Sequence, residues 1–260
     1  MEILSNIQVG PDIYKLKIKS TEICNNAKPG QFVHIKVNKN NNDPLLRRPL
    51  SIFDRNQKGE TISLLYKIYG RGTKILSEYK KGEKIDILGP LGNNFSTNIK
   101  DKKILVIAGG MGAAPLYFLT KALSASNKIS VILGSENKYK LSYIINSFMQ
   151  LDLNLYSTTI SEKNKNVIDY WLELKENGLL NNINKVFTCG PRPMLKTIQQ
   201  ICENDRTPAE VSLEERMGCG IGVCLSCICE TIEGNKRLCQ EGPVLPLSEV
   251  NFDEENRYQC

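Results

Sequence analysis

Residues 104–115 read ILVIAGGMGAAP, a short apolar run followed directly by a glycine-rich turn and the start of a helical segment. The helical pattern continues through residues 115–123, and two further apolar runs lie at residues 129–133 and 185–189. Apolar strands that alternate with helices are typical of a parallel sheet covered on both faces. We therefore predict a parallel-sheet α/β domain, which we place at residues 99–210.

The first hundred residues have a different pattern, in which short strand-like segments are separated by turns. Candidate strands lie at residues 31–37, 61–68 and 84–88. Glycine or proline ends the last two. The regular spacing of short strands predicts a closed antiparallel β-barrel over residues 1–98.

Composition is that of a globular protein of 260 residues, long enough for two domains and a small module. The net charge of +6 is spread along the chain rather than clustered, which does not indicate a nucleic-acid surface. No apolar run approaches the length of a membrane span. Because the N-terminal residues turn polar at once, we expect no secretory signal and a cytoplasmic protein.

Four of the nine cysteines follow the spacing C-x4-C-x2-C, with the fourth further along the chain: Cys219, Cys224, Cys227 and Cys239. One loop that supplies three thiolates and a distant strand that supplies the fourth are typical of a 2Fe-2S cluster. Glycines within residues 217–224 let the backbone approach inorganic sulfide closely. Zinc is the alternative, but zinc ribbons usually pair two C-x2-C units, and only Cys224 and Cys227 have that form. The pattern favours iron–sulfur, in a module over residues 211–260.

The remaining cysteines carry no clear signal. Nine is an odd number, so a complete disulfide framework cannot form. Cys229 is interpreted as a non-ligand, and the sequence assigns no role to Cys229 or Cys260.

Two short motifs in the first domain carry groups that suit a flavin nucleotide. Arg48 offers a planar set of donors for a pyrophosphate, and the hydroxyl of Ser51 can reach a flavin ring nitrogen. Further along, Gly72 and Thr73 open a short predicted helix, whose N-terminus can seat a phosphate. Each piece alone is better explained by a turn or a helix cap. Their order along the chain favours a flavin site.

These motifs resemble the FAD site of the ferredoxin reductase family. Residues 214–224, with Cys239 before Glu241-Gly242-Pro243-Val244, are similar to the electron transfer subunits of NAD-linked, two-subunit dihydroorotate dehydrogenases. The resemblance covers nearly the whole chain. It implies that the four cysteines hold a 2Fe-2S cluster and that FAD is held by Arg48, Pro49, Leu50, Ser51, Leu65, Tyr66, Lys67, Gly72 and Thr73.

The same resemblance implies a partner and a pathway. The partner is an FMN-containing dihydroorotate dehydrogenase catalytic subunit, in a heterotetramer with two copies of each chain. Electrons from dihydroorotate then pass through the 2Fe-2S cluster and FAD to NAD+, in pyrimidine (UMP) biosynthesis. The chain is thus expected to be an oxidoreductase subunit that oxidises dihydroorotate only with its partner.

A glycine-rich turn follows the first strand of the α/β domain, the place where a phosphate-binding turn is expected. It does not have the spacing G-x-G-x-x-G, so a structural turn is the alternative. The resemblance implies that NAD is bound by Gly109, Gly110, Gly112, Cys189, Gly190 and Pro191. No pair of arginines follows residues 129–133 to bind a 2′-phosphate, which favours NAD over NADP.

No catalytic acid–base residue is indicated. The single histidine, His34, lies within a predicted strand and is interpreted as structural, and Glu214 and Glu215 are interpreted as solvated charge. Three alternative functions stay open. The first is an NAD(P)H-dependent flavin and iron–sulfur reductase that serves ferredoxin or an oxygenase. The second is the small subunit of an NADH-dependent ferredoxin:NADP oxidoreductase, which is expected to depart from four-cysteine ligation. The third is a zinc-stapled, non-enzymatic binding protein.

Overall fold

A computed structural model of the protein describes residues 1–38, 43–136, 139, 142–163 and 165–252. The first sheet contains the strands β1 (Glu2–Gly10), β2 (Ile13–Lys19), β3 (Phe32–Lys36), β4 (Arg48–Asn56), β5 (Thr61–Lys67) and β6 (Asp86–Leu91). Two short helices, α1 (Thr21–Asn26) and α2 (Arg71–Ser77), lie in its connections.

This first sheet has the order β1-β2-β5-β4-β3-β6, and all its neighbouring strands are antiparallel. Its two edges meet at a bridge between Glu2 and Lys84, just before β6. The Ile3 N–H donates to the Glu83 carbonyl at 2.9 Å, and the Ile85 N–H donates to the Met1 carbonyl at 2.8 Å. The predicted antiparallel domain is confirmed, and the contact between its edges is the one that a barrel requires.

The second sheet contains β7 (Lys103–Gly109), β8 (Lys128–Ser135), β9 (Asn154–Thr159), β10 (Lys185–Cys189), β11 (Ala209–Ser212) and β14 (Val244–Pro246). Its helices are α3 (Ala113–Leu123), α4 (Ser142–Phe148), α5 (Ile160–Lys163), α6 (Val167–Glu176) and α7 (Arg192–Asn204). The order is β14-β11-β10-β7-β8-β9, with β14 antiparallel at one edge and the other strands parallel.

Alternate residues of the central strand β7 enter two different cores. Val106 packs in the cluster that contains Leu116 of α3, whereas Ile107 packs in the cluster that contains Ile198 of α7. Each such side chain contributes about 1.5–3 kcal/mol by leaving water. The parallel sheet covered on both faces is therefore confirmed. In the part of the chain that the structure describes, no helix has the length and apolar content needed to cross a membrane.

The C-terminal module is small and is joined closely to the α/β domain. Its hairpin consists of β12 (Ile228–Thr231) and β13 (Gly234–Arg237), and β14 then adds to the parallel sheet beside β11. The expected boundary between residues 210 and 211 falls inside β11. Cys260 lies outside the described residues.

A polar contact fixes the connection between the first two domains. Glu210 in β11 is buried, and its carboxylate accepts from the Ser96 N–H at 2.9 Å and from the Ser96 hydroxyl at 2.6 Å. The Lys185 ammonium lies 2.9 Å from the same carboxylate. Because Ser96 belongs to the segment between β6 and β7, this contact ties the connecting chain to the parallel sheet.

We expect Glu210→Ala to lower the free energy of unfolding by about 3 kcal/mol, because it leaves a largely buried ammonium and a backbone N–H without a partner. Glu173→Ala is the matched control, since it breaks the exposed pair with Lys165 and should cost less than about 1 kcal/mol. Urea unfolding of both variants measures the difference. Equal, small losses would show that the contact does not stabilise the connection.

Candidate functional site

The four cysteines of the predicted cluster come together at one end of the hairpin. We call residues 217–227 the cluster loop; it carries Cys219, Cys224 and Cys227 and leads into β12. Cys239 follows β13 and returns beside this loop, where the Leu238 N–H donates to the Cys227 carbonyl at 3.0 Å. The hairpin is thus the element that brings the distant fourth thiol to the other three.

The four thiols form two pairs. Those of Cys219 and Cys224 lie within hydrogen-bonding reach of each other, and so do those of Cys227 and Cys239. Among the described residues no three His, Cys, Asp or Glu side chains are grouped to hold one metal ion. Two thiol pairs suit two irons with two thiolates each. We call Cys219 and Cys224 the outer pair, because they are partly or fully exposed, and the buried Cys227 and Cys239 the inner pair.

Backbone N–H groups point at the sulfur atoms. Cys219 Sγ accepts from the N–H groups of Ile221, Val223 and Cys224, each at 3.4 Å. Cys224 Sγ accepts from the Cys219 N–H at 3.3 Å, and Cys239 Sγ accepts from the Gly222 N–H at 3.0 Å. Such donors stabilise negative charge on sulfur, as a cluster bound by thiolates requires.

Hydrogen bonds and burial shift the pKa values of Cys219, Cys224 and Cys239 in different directions. The hydroxyl of Ser226 is the main cause that lowers the pKa of Cys224 to about 6, and the Ile221 N–H is the main cause that lowers the pKa of Cys219. Burial raises the pKa of Cys239 to about 11. The Cys224 thiol is therefore set up to be a thiolate before any metal binds.

His34 lies directly beneath the cluster loop, a position that the sequence analysis missed. Gly220 has a φ of +74°, and a Cβ at this position would overlap the His34 ring. The imidazole is fully buried, and neither ring nitrogen has a well-formed hydrogen bond to the described residues. Burial lowers the pKa of His34, opposed by nearby backbone of Cys219 and Arg47. The side chain is therefore a neutral contact between β3 and the cluster loop.

A cavity of about 330 Å³ lies where the three parts of the chain meet, and we call it the central cavity. Six predicted flavin residues line it: Pro49, Leu50, Ser51, Leu65, Tyr66 and Lys67. Met111 and Pro115 of the α/β domain and Met217 of the cluster loop also line it. Its volume lies within the usual range for cofactor sites, about 300–1,000 Å³.

The other predicted flavin residues lie beside one another. The Arg48 guanidinium packs so closely on Gly72 that a Cβ there would overlap it. Thr73 caps its own helix, because its hydroxyl accepts from the Tyr69 N–H at 2.9 Å and from the Gly70 N–H at 3.3 Å. The two motifs, separated in sequence, thus place an arginine beside the first turn of α2, which fits a pyrophosphate.

A second cavity of about 810 Å³, the large cavity, lies at the carboxyl ends of the parallel strands. Gly109, Gly110 and Pro191 line it. Gly112 packs on the Cys189 carbonyl with no room for a Cβ, and Gly190 packs against Gly109 and Met194. The two predicted turns therefore meet, and three of their glycines allow that contact.

Cys189 is buried beneath the contact between the two turns and is not exposed at the surface. Burial raises the pKa of the Cys189 thiol well above its usual value, and Ser212, which lines the central cavity, hydrogen bonds to it. The thiol is therefore neutral and does not act as a nucleophile.

The two cavities adjoin. Lys67 and Met111 line both of them. Two planar ligands bound in these cavities would consequently meet at Lys67 and Met111, as nicotinamide and flavin must for hydride transfer.

The sequence analysis interpreted Glu214 and Glu215 as solvated charge, but the structure gives them a different environment. Both line the central cavity. Glu214 is accessible in the cavity, yet the protein around it displaces enough water to raise the pKa of its carboxyl. Burial also raises the pKa of Glu215, which the Arg192 guanidinium, 3.5 Å away, partly offsets. Only the fold reveals this placement, because the cavity wall is assembled from segments that lie far apart in sequence.

Solved structures show the class of protein that this fold and site define. The structure of an NADH-dependent reduced ferredoxin-NADP oxidoreductase matches 97% of this chain and 90% of its own, with a TM-score of 0.83 and 28% identity. The ferredoxin reductase of carbazole 1,9a-dioxygenase matches 80% of this chain and 65% of its own, with a TM-score of 0.64 and 19% identity, which shows the fold alone. The chain is an oxidoreductase of the ferredoxin reductase type.

Family and sequence comparisons make this more specific. Residues 2–95 match the oxidoreductase FAD-binding domain, and residues 214–251 match the iron–sulfur cluster binding domain of dihydroorotate dehydrogenase B. The dihydroorotate dehydrogenase B (NAD(+)) electron transfer subunit of Desulforamulus reducens is 35% identical, over 97% of each chain. That of Clostridium acetobutylicum is also 35% identical, over 97% of each chain. The chain belongs to this family of electron transfer subunits.

Proposed function

We propose that the chain receives electrons from a catalytic subunit that oxidises dihydroorotate. It passes these electrons through a 2Fe-2S cluster and FAD to NAD+. One observation supports this order most directly. The central cavity adjoins the large cavity at Lys67 and Met111, and its wall also includes Met217, two residues before Cys219. A flavin bound in the central cavity would therefore lie between a nicotinamide in the large cavity and a cluster at the cluster loop.

The cluster is proposed to be held by Cys219, Cys224, Cys227 and Cys239, which fit it because they form two pairs with N–H donors aimed at sulfur. FAD is proposed to lie with its ring against Ser51, Leu65 and Lys67 in the central cavity, and with its pyrophosphate near Arg48. The backbone of Gly72 and Thr73 is proposed to lie beside the pyrophosphate. NAD is proposed to bind in the large cavity, over the turns that contain Gly110 and Pro191.

The chemistry needs placement rather than proton transfer by the protein. When bound, flavin exchanges a hydride with nicotinamide and single electrons with an iron–sulfur cluster. This chain's residues bind and orient the groups. The apolar side chains of Leu50, Leu65 and Met217 help to exclude water between them. Pyrimidine biosynthesis follows as the proposed role, because orotate is the product of the partner's reaction.

The partner is proposed to dock on the outer face of the cluster loop. Ile221, Val223 and Leu225 are exposed by 52%, 74% and 55%, although all three are large and apolar. They surround the outer pair, so a subunit seated on them would cover the cluster edge and exclude water from it. We propose that this subunit carries FMN, and that two copies of each chain form the heterotetramer.

Glu136 is a further residue that the sequence analysis did not select. It follows β8 and lines the large cavity. An acidic residue at this place in a dinucleotide fold binds the ribose 2′-hydroxyl and repels a 2′-phosphate. This supports NAD rather than NADP as the nucleotide.

We expect Glu136→Ala to lower kcat/KM for NADH by about 10-fold, because a hydrogen bond to a charged group is lost. The value for NADPH should rise, since the repulsion is removed. Ferricyanide reduction by both nucleotides measures the ratio, with the exposed Glu176→Ala as control. An unchanged ratio would exclude Glu136 as the determinant.

The proposed function is tested by purifying the chain alone and together with the FMN-containing dihydroorotate dehydrogenase from the same source. We expect NADH formation from dihydroorotate only in the complex. The lone chain should oxidise NADH with artificial acceptors. Dihydroorotate oxidation by the lone chain, or a complex that transfers its electrons to ferredoxin but not to NAD+, would contradict the proposal.

A further inference from the structure

Ser226 lies between two cysteines of the cluster loop, and its hydroxyl points back at Cys224. The two atoms, Ser226 Oγ and Cys224 Sγ, are 3.2 Å apart. The intervening residue, Leu225, has a φ of +59°, which is unusual for a residue with a branched side chain. This backbone conformation turns the chain so that the hydroxyl meets the thiol, and strain of this kind is typical of functional sites.

The direction of this hydrogen bond follows from the groups around it. The Gly218 N–H donates to Ser226 Oγ at 2.8 Å, which occupies the oxygen as an acceptor. A ligating thiolate can only accept, so the hydroxyl proton goes to Cys224 Sγ. The other acceptor, the Arg216 carbonyl, lies 3.5 Å away, at the limit of a hydrogen bond. A Cβ on Gly218 would lie 3.1 Å from Cys224 Sγ, so this glycine permits the close arrangement.

The outer pair receives more hydrogen bonds than the inner pair. Within the described residues, five hydrogen-bond donors reach the sulfur atoms of the outer pair, and four of them are backbone N–H groups. Ser226 supplies the one side-chain donor that does not belong to the pair itself. A single backbone donor reaches Cys239. Hydrogen bonds to cluster sulfur stabilise the reduced form, because reduction adds negative charge to sulfur. Ser226 thus acts on the half of the cluster that faces the exposed apolar residues.

We propose that Ser226 is a positioning residue that raises the reduction potential of the 2Fe-2S cluster by donating to Cys224 in the outer pair. The inference rests on the proposed ligand set, since it requires Cys224 to be a ligand. Once a partner covers the outer face and excludes water, the hydrogen bond strengthens, because the local dielectric constant falls. The potential of the cluster is then coupled to docking.

The test is a dithionite titration of the purified chain, with redox mediators and detection of the reduced cluster by electron paramagnetic resonance. Iron and sulfide content is measured on each sample, so failure of the ligand set is seen as lost iron, separately from an altered potential. We expect Ser226→Ala to keep its iron and to have a lower midpoint potential than the wild type. Ser226→Thr, which retains the hydroxyl, should restore the potential. Ser124→Ala, which removes a hydroxyl at the end of α3, is the control.

Ser226→Val is the second comparison, because valine has the shape of threonine without its hydroxyl. If Ser226→Ala loses iron, the threonine and valine variants still decide the question. A lower potential for valine than for threonine supports the proposal. Equal potentials for these two, or a wild-type potential in an iron-replete Ser226→Ala variant, would overturn it.

Discussion

The Cys227→Ala variant is expected to contain almost no iron or acid-labile sulfide while it keeps its FAD. Cys227 is buried and belongs to the inner pair with Cys239. Loss of residues that only support a ligand already costs about 10–100-fold in metal affinity, so loss of a ligand should cost more. Electron transfer from dihydroorotate to NAD+ in the complex should therefore fall by more than about 100-fold.

Cys229→Ala is the matched control, because Cys229 is also buried and lies two residues further along the same segment. It should retain the cluster and the activity of the complex. Iron, sulfide and flavin analysis together with the visible spectrum distinguishes the two variants. Loss of the cluster in Cys229→Ala but not in Cys227→Ala would show that the ligand set is wrong.

The second large effect is expected at Arg48, where Arg48→Ala should weaken FAD binding by about 10–100-fold. Hydrogen bonds to charged groups contribute about 1.5–3 kcal/mol, and each 1.4 kcal/mol is tenfold in affinity. Arg48→Lys should recover only part of this, because an ammonium lacks the planar set of donors. The dissociation constant is measured by quenching of FAD fluorescence on addition of the flavin-free protein.

The adjacent Arg47 provides the control. Its guanidinium binds the Asp86 carboxylate through two contacts, of 3.0 Å and 2.7 Å, on the surface of the first domain. Arg47→Ala should leave FAD affinity within about 2-fold of the wild type, since exposed pairs contribute little. Equal effects of the two substitutions would argue against Arg48 as the pyrophosphate ligand.

Sequence reasoning succeeded where a signal is local. The strands β7, β8 and β10 are continuous apolar runs, because both faces of a parallel strand are buried, and such runs are visible in sequence. The cysteine spacing is also local for three of the four thiols. The strand β9 was missed because Asn154–Thr159 is largely polar.

What sequence reasoning missed depends on contacts between distant segments. β14 is three residues long and is defined by its pairing with β11 across the whole cluster module. His34 meets Gly220, and Glu214 reaches a cavity whose wall also contains Ser51 and Met111. None of these contacts produces a periodic pattern in the sequence, so they can be recognised only from the three-dimensional structure.

The central claim is that one chain holds a 2Fe-2S cluster beside a bound flavin. Its most direct test is the chemical analysis of the purified chain for iron, acid-labile sulfide, zinc and flavin. The account predicts iron and sulfide in equal amounts, with half as much FAD and no zinc. Stoichiometric zinc, or a chain that releases no flavin on denaturation, would contradict it.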